Sequence, residues 1–166
     1  MVPFLQLLVL LALSADAGRA VRGPSFVVSS AGCEALISPD GLAEIRILID
    51  PEQAPDAGAY LGRGTFQAGA AIAEHVHERS VEMLYILSGE GMMMIESQAL
   101  VVRAGDAVWI PRGARHSFRN SSGTALEAVQ LYLPPGPERR FKAWPPGAPA
   151  DVRHSEERPP GGGLGP

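Results

Sequence analysis

The chain predicts an all-β domain, an antiparallel sandwich or barrel, and three observations lead there. Short runs rich in β-branched residues alternate apolar with polar side chains. Clusters of glycine, proline, asparagine and aspartate separate those runs at short intervals. No amphipathic stripe of three helical turns occurs after Ala17. The length of 166 residues suits one domain with a core of its own, and 19 glycines with 15 prolines suit many tight turns.

Taken in order, residues 4–13 form an apolar run of signal-peptide length, followed by Ala15-Asp16-Ala17. That small-residue pattern predicts an export signal over residues 1–17, cleaved before Gly18, and hence a secreted or periplasmic protein. An uncleaved anchor and an N-terminal helix are the competing readings. Ser30-Ala31-Gly32-Cys33 has the outline of a lipid-attachment site, but it lies far from the apolar run. Residues 18–144 are read as the folded domain. Runs at 25–29 and 33–38 open it, broken by Ala31-Gly32 and Pro39-Asp40-Gly41. Residues 43–50 carry Ile45, Ile47 and Ile49 on one face and read as a half-buried strand. Residues 51–58 are a loop, and 62–67 resume the extended pattern. Further strands are predicted at 82–88, 92–96, 99–103, 107–110, 115–120 and 125–133, each bounded by turn residues. From residue 145 to 166 the composition turns to proline, glycine and charge, which predicts a disordered tail. Phe141 and Trp144 stand out before it as an aromatic pair able to pin the chain to the outer wall of a barrel.

A net charge of −4 and the lack of a basic patch give no reason to expect a nucleic-acid binder. A single cysteine, Cys33, excludes an internal disulfide.

The chemistry concentrates between Gly69 and Asn120, where His75, His77 and His116, three of the four histidines, fall. His75 and His77, two apart on an extended strand, would face the same way, about 6.5–7 Å apart at Cα. Both rings can then turn onto one metal ion at about 2.0–2.1 Å. Strand parity places Glu74 and Glu78 away from that face. Glu82 would join the histidines only if the chain turns or bulges around residues 78–80. His116 lies further on, after Pro111-Arg112-Gly113, and reaches the same ion only if the sheet closes on itself.

Gly69, His75, His77, Glu82 and Gly89 match the first motif of the cupin superfamily, G-x5-H-x-H-x3,4-E-x6-G, and Gly105, Pro111, Gly113, His116 and Asn120 match the second, G-x5-P-x-G-x2-H-x3-N. The chain therefore resembles a small single-domain cupin, with a short gap of 15 residues between motifs. The resemblance implies a jelly-roll β-barrel, a homodimer, and one divalent transition metal held by His75, His77, Glu82 and His116. Three imidazoles with one carboxylate suit Fe, Mn, Ni, Cu or Zn. Gly89 and Gly105 are expected to supply positive φ, Pro111 and Gly113 to shape the bend before His116, and Asn120 to cap a turn.

Other residues read more plainly. Met92-Met93-Met94 suggests copper handling by ligand type, but barrel packing explains it as well. Tyr85 and Trp109 are expected on the outer wall, Phe118 in the pocket wall and Arg115 at the rim. His154, in the tail, is expected to be a bystander. No free histidine is left to act as a base, and no catalytic residue is named. The sequence thus supports a metal-dependent oxygenase or other oxidoreductase, isomerase or lyase acting on a small oxygenated substrate. A non-catalytic module binding a sugar or carboxylate beside a structural metal, and a purely structural or storage protein, are the alternatives. Neither stable membrane insertion nor nucleic-acid binding is expected.

Overall fold

A computed structural model describes residues 27–147. The expected export signal and its cleavage site, most of the tail, and His154 lie outside the described residues. The alternating runs become ten strands: β1 (Ala35–Ile37), β2 (Ala43–Ile49), β3 (Tyr60–Phe66), β4 (Ala71–His75), β5 (Val81–Ser88), β6 (Glu90–Ile95), β7 (Gln98–Arg103), β8 (Ala107–Ile110), β9 (His116–Arg119) and β10 (Leu126–Leu133). They form a six-stranded sheet ordered β1-β2-β3-β10-β5-β8 and a four-stranded sheet ordered β4-β9-β6-β7. Every pairing is antiparallel. This is the jelly-roll arrangement expected, in which two sheets bury their inner faces against one another.

Parity decides which side chains meet inside. On β5, Glu82 and Ile86 are buried while Met83, Tyr85 and Leu87 are exposed. On β10, Leu126, Ala128, Gln130 and Tyr132 all face inward. The four-stranded sheet contributes Met93 and Val102 to the same core. Of the three consecutive methionines, only Met93 is buried and Met94 is exposed, as packing on a two-residue period requires. Tyr85 and Trp109 lie on the outside, 51% and 63% exposed.

Turn chemistry holds the sheets in register. Gly89 has φ of +77°, and a Cβ there would sit 2.3 Å from the Ala125 carbonyl oxygen, so both backbone conformation and space demand glycine. Asn120, fully buried, donates from Nδ2 to the carbonyls of Phe66 and Thr124 and accepts from the Ser122 backbone, which makes it the turn cap expected.

The ends of the domain differ from expectation. Residues 27–29, the described part of the first expected strand, are not extended in a sheet, and a 3-10 turn, Ser30–Gly32, follows them. Val27 is 80% exposed, so its apolar side chain is not taken up by either sheet. Past β10, Pro137–Ala143 forms a 3-10 segment with proline in its first turn. Phe141 on this segment is not on the outer wall. It is buried, with its ring 6.4 Å from Tyr60 and 5.1 Å from Trp144. The reason is the aromatic pair beneath it: Tyr60 and Tyr132, 5.2 Å apart and fully buried, need a third apolar surface to exclude water. Lys142 Nζ reaches Asp50 and Glu52 at 2.7 and 2.6 Å and ties the segment to the loop after β2. Backbone pairing then continues past the expected boundary at residue 144. Ile37 donates to the Pro145 carbonyl and Gly147 to that of Ala35.

Candidate metal centre

Three kinds of element deliver the four predicted side chains. His75 and His116 are direct cross-strand neighbours on β4 and β9. β9 is also held on its other side, where Ile95 pairs with His116 and the Glu96 carboxylate accepts from the Arg115 amide at 2.9 Å. Glu82 comes from the opposite sheet, flanked on β5 by Ile110 and Tyr132. His77 is not on the strand that carries His75. β4 shifts register after Ile72 and ends at His75, so His77 sits in the connection between the sheets. The chain bends at Glu78-Arg79, as the parity of Glu82 requires. Gly113 donates its amide to the His77 carbonyl at 3.0 Å, so the Pro111–Gly113 turn steadies one histidine while leading into another. Glu74 and Glu78 are exposed and point away.

The ligand-type atoms of His75, His77, Glu82 and His116 all lie within 4.8 Å of one another. His77 Nε2 and His116 Nε2 each stand 3.1 Å from Glu82 Oε2. The Nδ1 atoms of His75 and His116 face the carbonyls of Ala73 and Ala114 at 2.8 and 2.9 Å. A carbonyl can only accept, so Nδ1 carries a proton in both rings; His75 Nε2 is left with a lone pair for the centre, whereas His116 Nε2 shares a proton with the Glu82 carboxylate that a bound ion would displace. His75 Nε2 is buried with no partner at all. A lone pair aimed into a buried space beside a carboxylate is what a metal ion satisfies, and the cluster fits a single ion.

Electrostatics follow from the same contacts. Burial, joined by the charges of Arg140 and the neighbouring histidines, outweighs the Ala73 hydrogen bond and holds His75 down to about 4. Burial works to raise the Glu82 carboxyl, but hydrogen bonds with His116, His77 and Gln130 prevail and hold it at about 2. Burial also opposes a charged His116, yet the hydrogen bond and charge of Glu82 and the Ala114 carbonyl push it above the usual imidazole range. The carboxylate is thus ionised and ready to ligate.

The cluster opens on a cavity of about 40 Å³, room for roughly three water molecules. Its walls are mainly apolar and include Leu84, Ile86, Met93 and the predicted Phe118. Arg115 is exposed and is not among the residues that line the cavity. Two functional positions escaped sequence reasoning. Gln130 Nε2 donates to Glu82 Oε1 at 2.7 Å, and a polar residue on the inward register of β10 was a readable signal. Arg140, on the 3-10 segment, also lines the cavity, and nothing in the sequence around it marks that role.

A jelly roll with three histidines and a glutamate gathered between its sheets defines the class of protein. The Cupin domain family model matches residues 62–132. The oxalate-binding protein of Thermotoga maritima is 30% identical over 93 residues, covering 56% of this chain and 77% of that protein. Protein SchB of Streptomyces halstedii is 28% identical over 86 residues, 52% of this chain and 62% of its own length. The crystal structure of a predicted oxalate decarboxylase from Thermotoga maritima aligns with a TM-score of 0.59 at 28% identity, covering 66% of this chain and all of that one. The polyketide cyclase RemF from Streptomyces resistomycificus, at 22% identity and a TM-score of 0.60, covers 68% of this chain and 82% of its own and shares the fold. The chain belongs to the cupin superfamily.

Proposed function

We propose that this cupin is an exported, metal-dependent enzyme whose divalent ion is held by His75, His77, Glu82 and His116, with a small oxygenated molecule as substrate. The observation that carries the reading is the buried, unpartnered Nε2 of His75, aimed at the same space as two other imidazole nitrogens and an ionised carboxylate. The ion, one of Fe, Mn, Ni, Cu or Zn, would supply Lewis-acid or redox chemistry to an oxygenase, isomerase or lyase reaction. The chain's own part is to fix the imidazole tautomers through Ala73 and Ala114, to keep Glu82 ionised through Gln130, and to hold the substrate in a largely apolar cavity that excludes bulk water. Similarity to an oxalate-binding protein and to a predicted oxalate decarboxylase supports a compact oxygenated ligand.

One observation favours the alternative, a binding module without turnover. Every histidine at the cavity belongs to the metal cluster, which leaves no spare imidazole to move a proton. In solution the protein is proposed to be a homodimer, supported by the exposed apolar strip of Met83, Tyr85 and Leu87 on β5 beside Trp109 on β8. Export is supported by the apolar run and the Ala15-Asp16-Ala17 pattern. Among the described residues no helix is long and apolar enough to cross a membrane.

Elemental analysis of the purified protein tests the centre. One equivalent of metal per chain is expected, falling to a small fraction in His77→Ala and Glu82→Ala. Undiminished metal in both variants would overturn the assignment. Product formation from a panel of small oxygenated compounds then separates enzyme from binding module.

A further inference from the structure

Of the charged groups near the cavity, Arg140 is the one whose surroundings leave its charge unanswered. Arg140 forms no ion pair among the described residues. Its guanidinium lies over the Phe141 ring at 4.8 Å, and its nearest hydrogen-bond partner is the Tyr132 hydroxyl at a long 3.4 Å. Its Nε is buried and has no partner. A guanidinium carries five N–H donors in a fixed fork, and leaving them unmet in an apolar setting is costly.

The cavity explains what could meet them. Arg140 shares its walls with His75, Glu82 and His116, so its side chain and the metal cluster border one small space. Glu82 is the only carboxylate in that wall. With a divalent ion present, the formal charge there is about +2, which an anion of one or two charges neutralises. The volume, about 40 Å³, limits that anion to a few heavy atoms.

We propose that Arg140 is the specificity-determining residue of this site, selecting small carboxylates whose one end meets the metal cluster and whose other oxygens meet the guanidinium fork. The inference rests on the metal-centre reading above and names its ligand class. Planar, paired donors suit a carboxylate better than a neutral hydroxyl or amide. Arg140 comes from outside the barrel motif, on the 3-10 segment Pro137–Ala143. That segment is anchored on either side of Arg140: Phe141 is buried in the core, Lys142 is bridged to Asp50 and Glu52, and Glu138, also buried, accepts the Gly136 amide at 2.5 Å. The metal is thus held by the sheets and the connection between them, and the choice of ligand is made by the segment laid across them.

The test uses the full chain loaded with Mn²⁺ and calorimetric titration with matched pairs, acetate against acetamide and glycolate against glycolamide. Wild type is expected to prefer each carboxylate by at least tenfold. Arg140→Met is expected to lose that preference, with carboxylate affinity down at least tenfold while Mn²⁺ and amide affinities stay within twofold. Arg140→Lys, which keeps the charge and stem but not the fork, is expected to fall between the two and guards against misfolding of the first variant. A role confined to packing over Phe141 would shift the melting temperature and leave the carboxylate-to-amide ratio alone, which overturns the proposal. Equal carboxylate affinity in wild type and Arg140→Met overturns it too, with the metal centre intact. A wild-type protein that binds none of Mn²⁺, Fe²⁺, Ni²⁺, Cu²⁺ and Zn²⁺ overturns the metal reading itself.

Discussion

Replacing Gln130 by leucine separates the energetics of the metal centre from those of the fold. Gln130 is 7% exposed and Glu82 is 4% exposed, and the 2.7 Å hydrogen bond from Gln130 Nε2 is the one recorded for Glu82 Oε1. A hydrogen bond to a charged group contributes about 1.5–3 kcal/mol, and leucine removes it. The same substitution removes Gln130 Oε1, a buried carbonyl oxygen that has no partner and carries a penalty of about 1–3 kcal/mol. In the metal-free protein the two changes largely cancel, so the melting temperature should move by a few degrees at most, about 2–4 °C per kcal/mol for a chain of this size. Metal affinity has no such compensation, because Glu82 loses the group that orients it. Loss of a partner of this kind weakens binding about 10–100-fold, or roughly 1.4–2.7 kcal/mol, which overlaps the hydrogen-bond figure. Competition between the protein and a chromophoric chelator for Zn²⁺ or Mn²⁺ measures the affinity, and thermal unfolding of the metal-free form measures the fold. A dissociation constant within twofold of wild type, with the fold retained, would refute the role given to Gln130 and weaken that of Glu82.

Three further outcomes follow from the packing. Asp50 is buried and accepts from Lys142 Nζ and the Glu52 and Gln53 amides. Burial opposes its charge, but those contacts prevail and hold the carboxyl below its ordinary value. A depressed carboxyl stabilises the fold above its unfolded pKa of about 3.9 and ceases to do so as pH falls through the folded value. Asp50→Asn should therefore cost about 1.5–3 kcal/mol at pH 7, with the gap to wild type closing below about pH 4 in a pH series of melts. Phe141→Ala removes a fully packed ring and should cost about 3–5 kcal/mol in chemical denaturation; a cost under about 1 kcal/mol would place the ring outside the core. Trp109→Glu puts a charge on the exposed strip shared with Met83 and Tyr85, and sedimentation should show it shifting the proposed dimer towards monomer without lowering metal content.

The core of the fold was legible because parity and turn chemistry are local. Leu84 and Ile86 follow Glu82 inward, Phe118 follows His116 into the wall, and the glycine at 89 occupies a backbone that tolerates no other residue. The pairing of His75 with His77 was legible only in part. Their spacing is right, yet a regular strand would have ended the argument too early, since β4 stops at His75 and a register shift precedes it. The placement of Phe141 was missed at the C-terminal end of the domain. An aromatic pair at the end of the domain reads as an anchor on the outer wall, whereas Phe141 packs inward on the Tyr60–Tyr132 pair through contacts far apart in sequence that no local pattern encodes.

That failure has a physical consequence for function. The motif residues that mark the family lie between Gly69 and Asn120, and they bring together the four metal-type side chains and the turns that aim them. A centre built that way is common property of the fold, so it says little about which molecule enters. Charge and shape are added from beyond β10, where Arg140 and Phe141 line the cavity. Because Lys142 ties that segment to Asp50 and Glu52, two loops distant in sequence jointly set where the guanidinium stands. Substitutions at Asp50 should therefore alter ligand preference as well as stability, while leaving metal content unchanged. A parallel loss of metal and ligand binding in Asp50→Asn would instead mean that the segment supports the whole site rather than selecting what it binds.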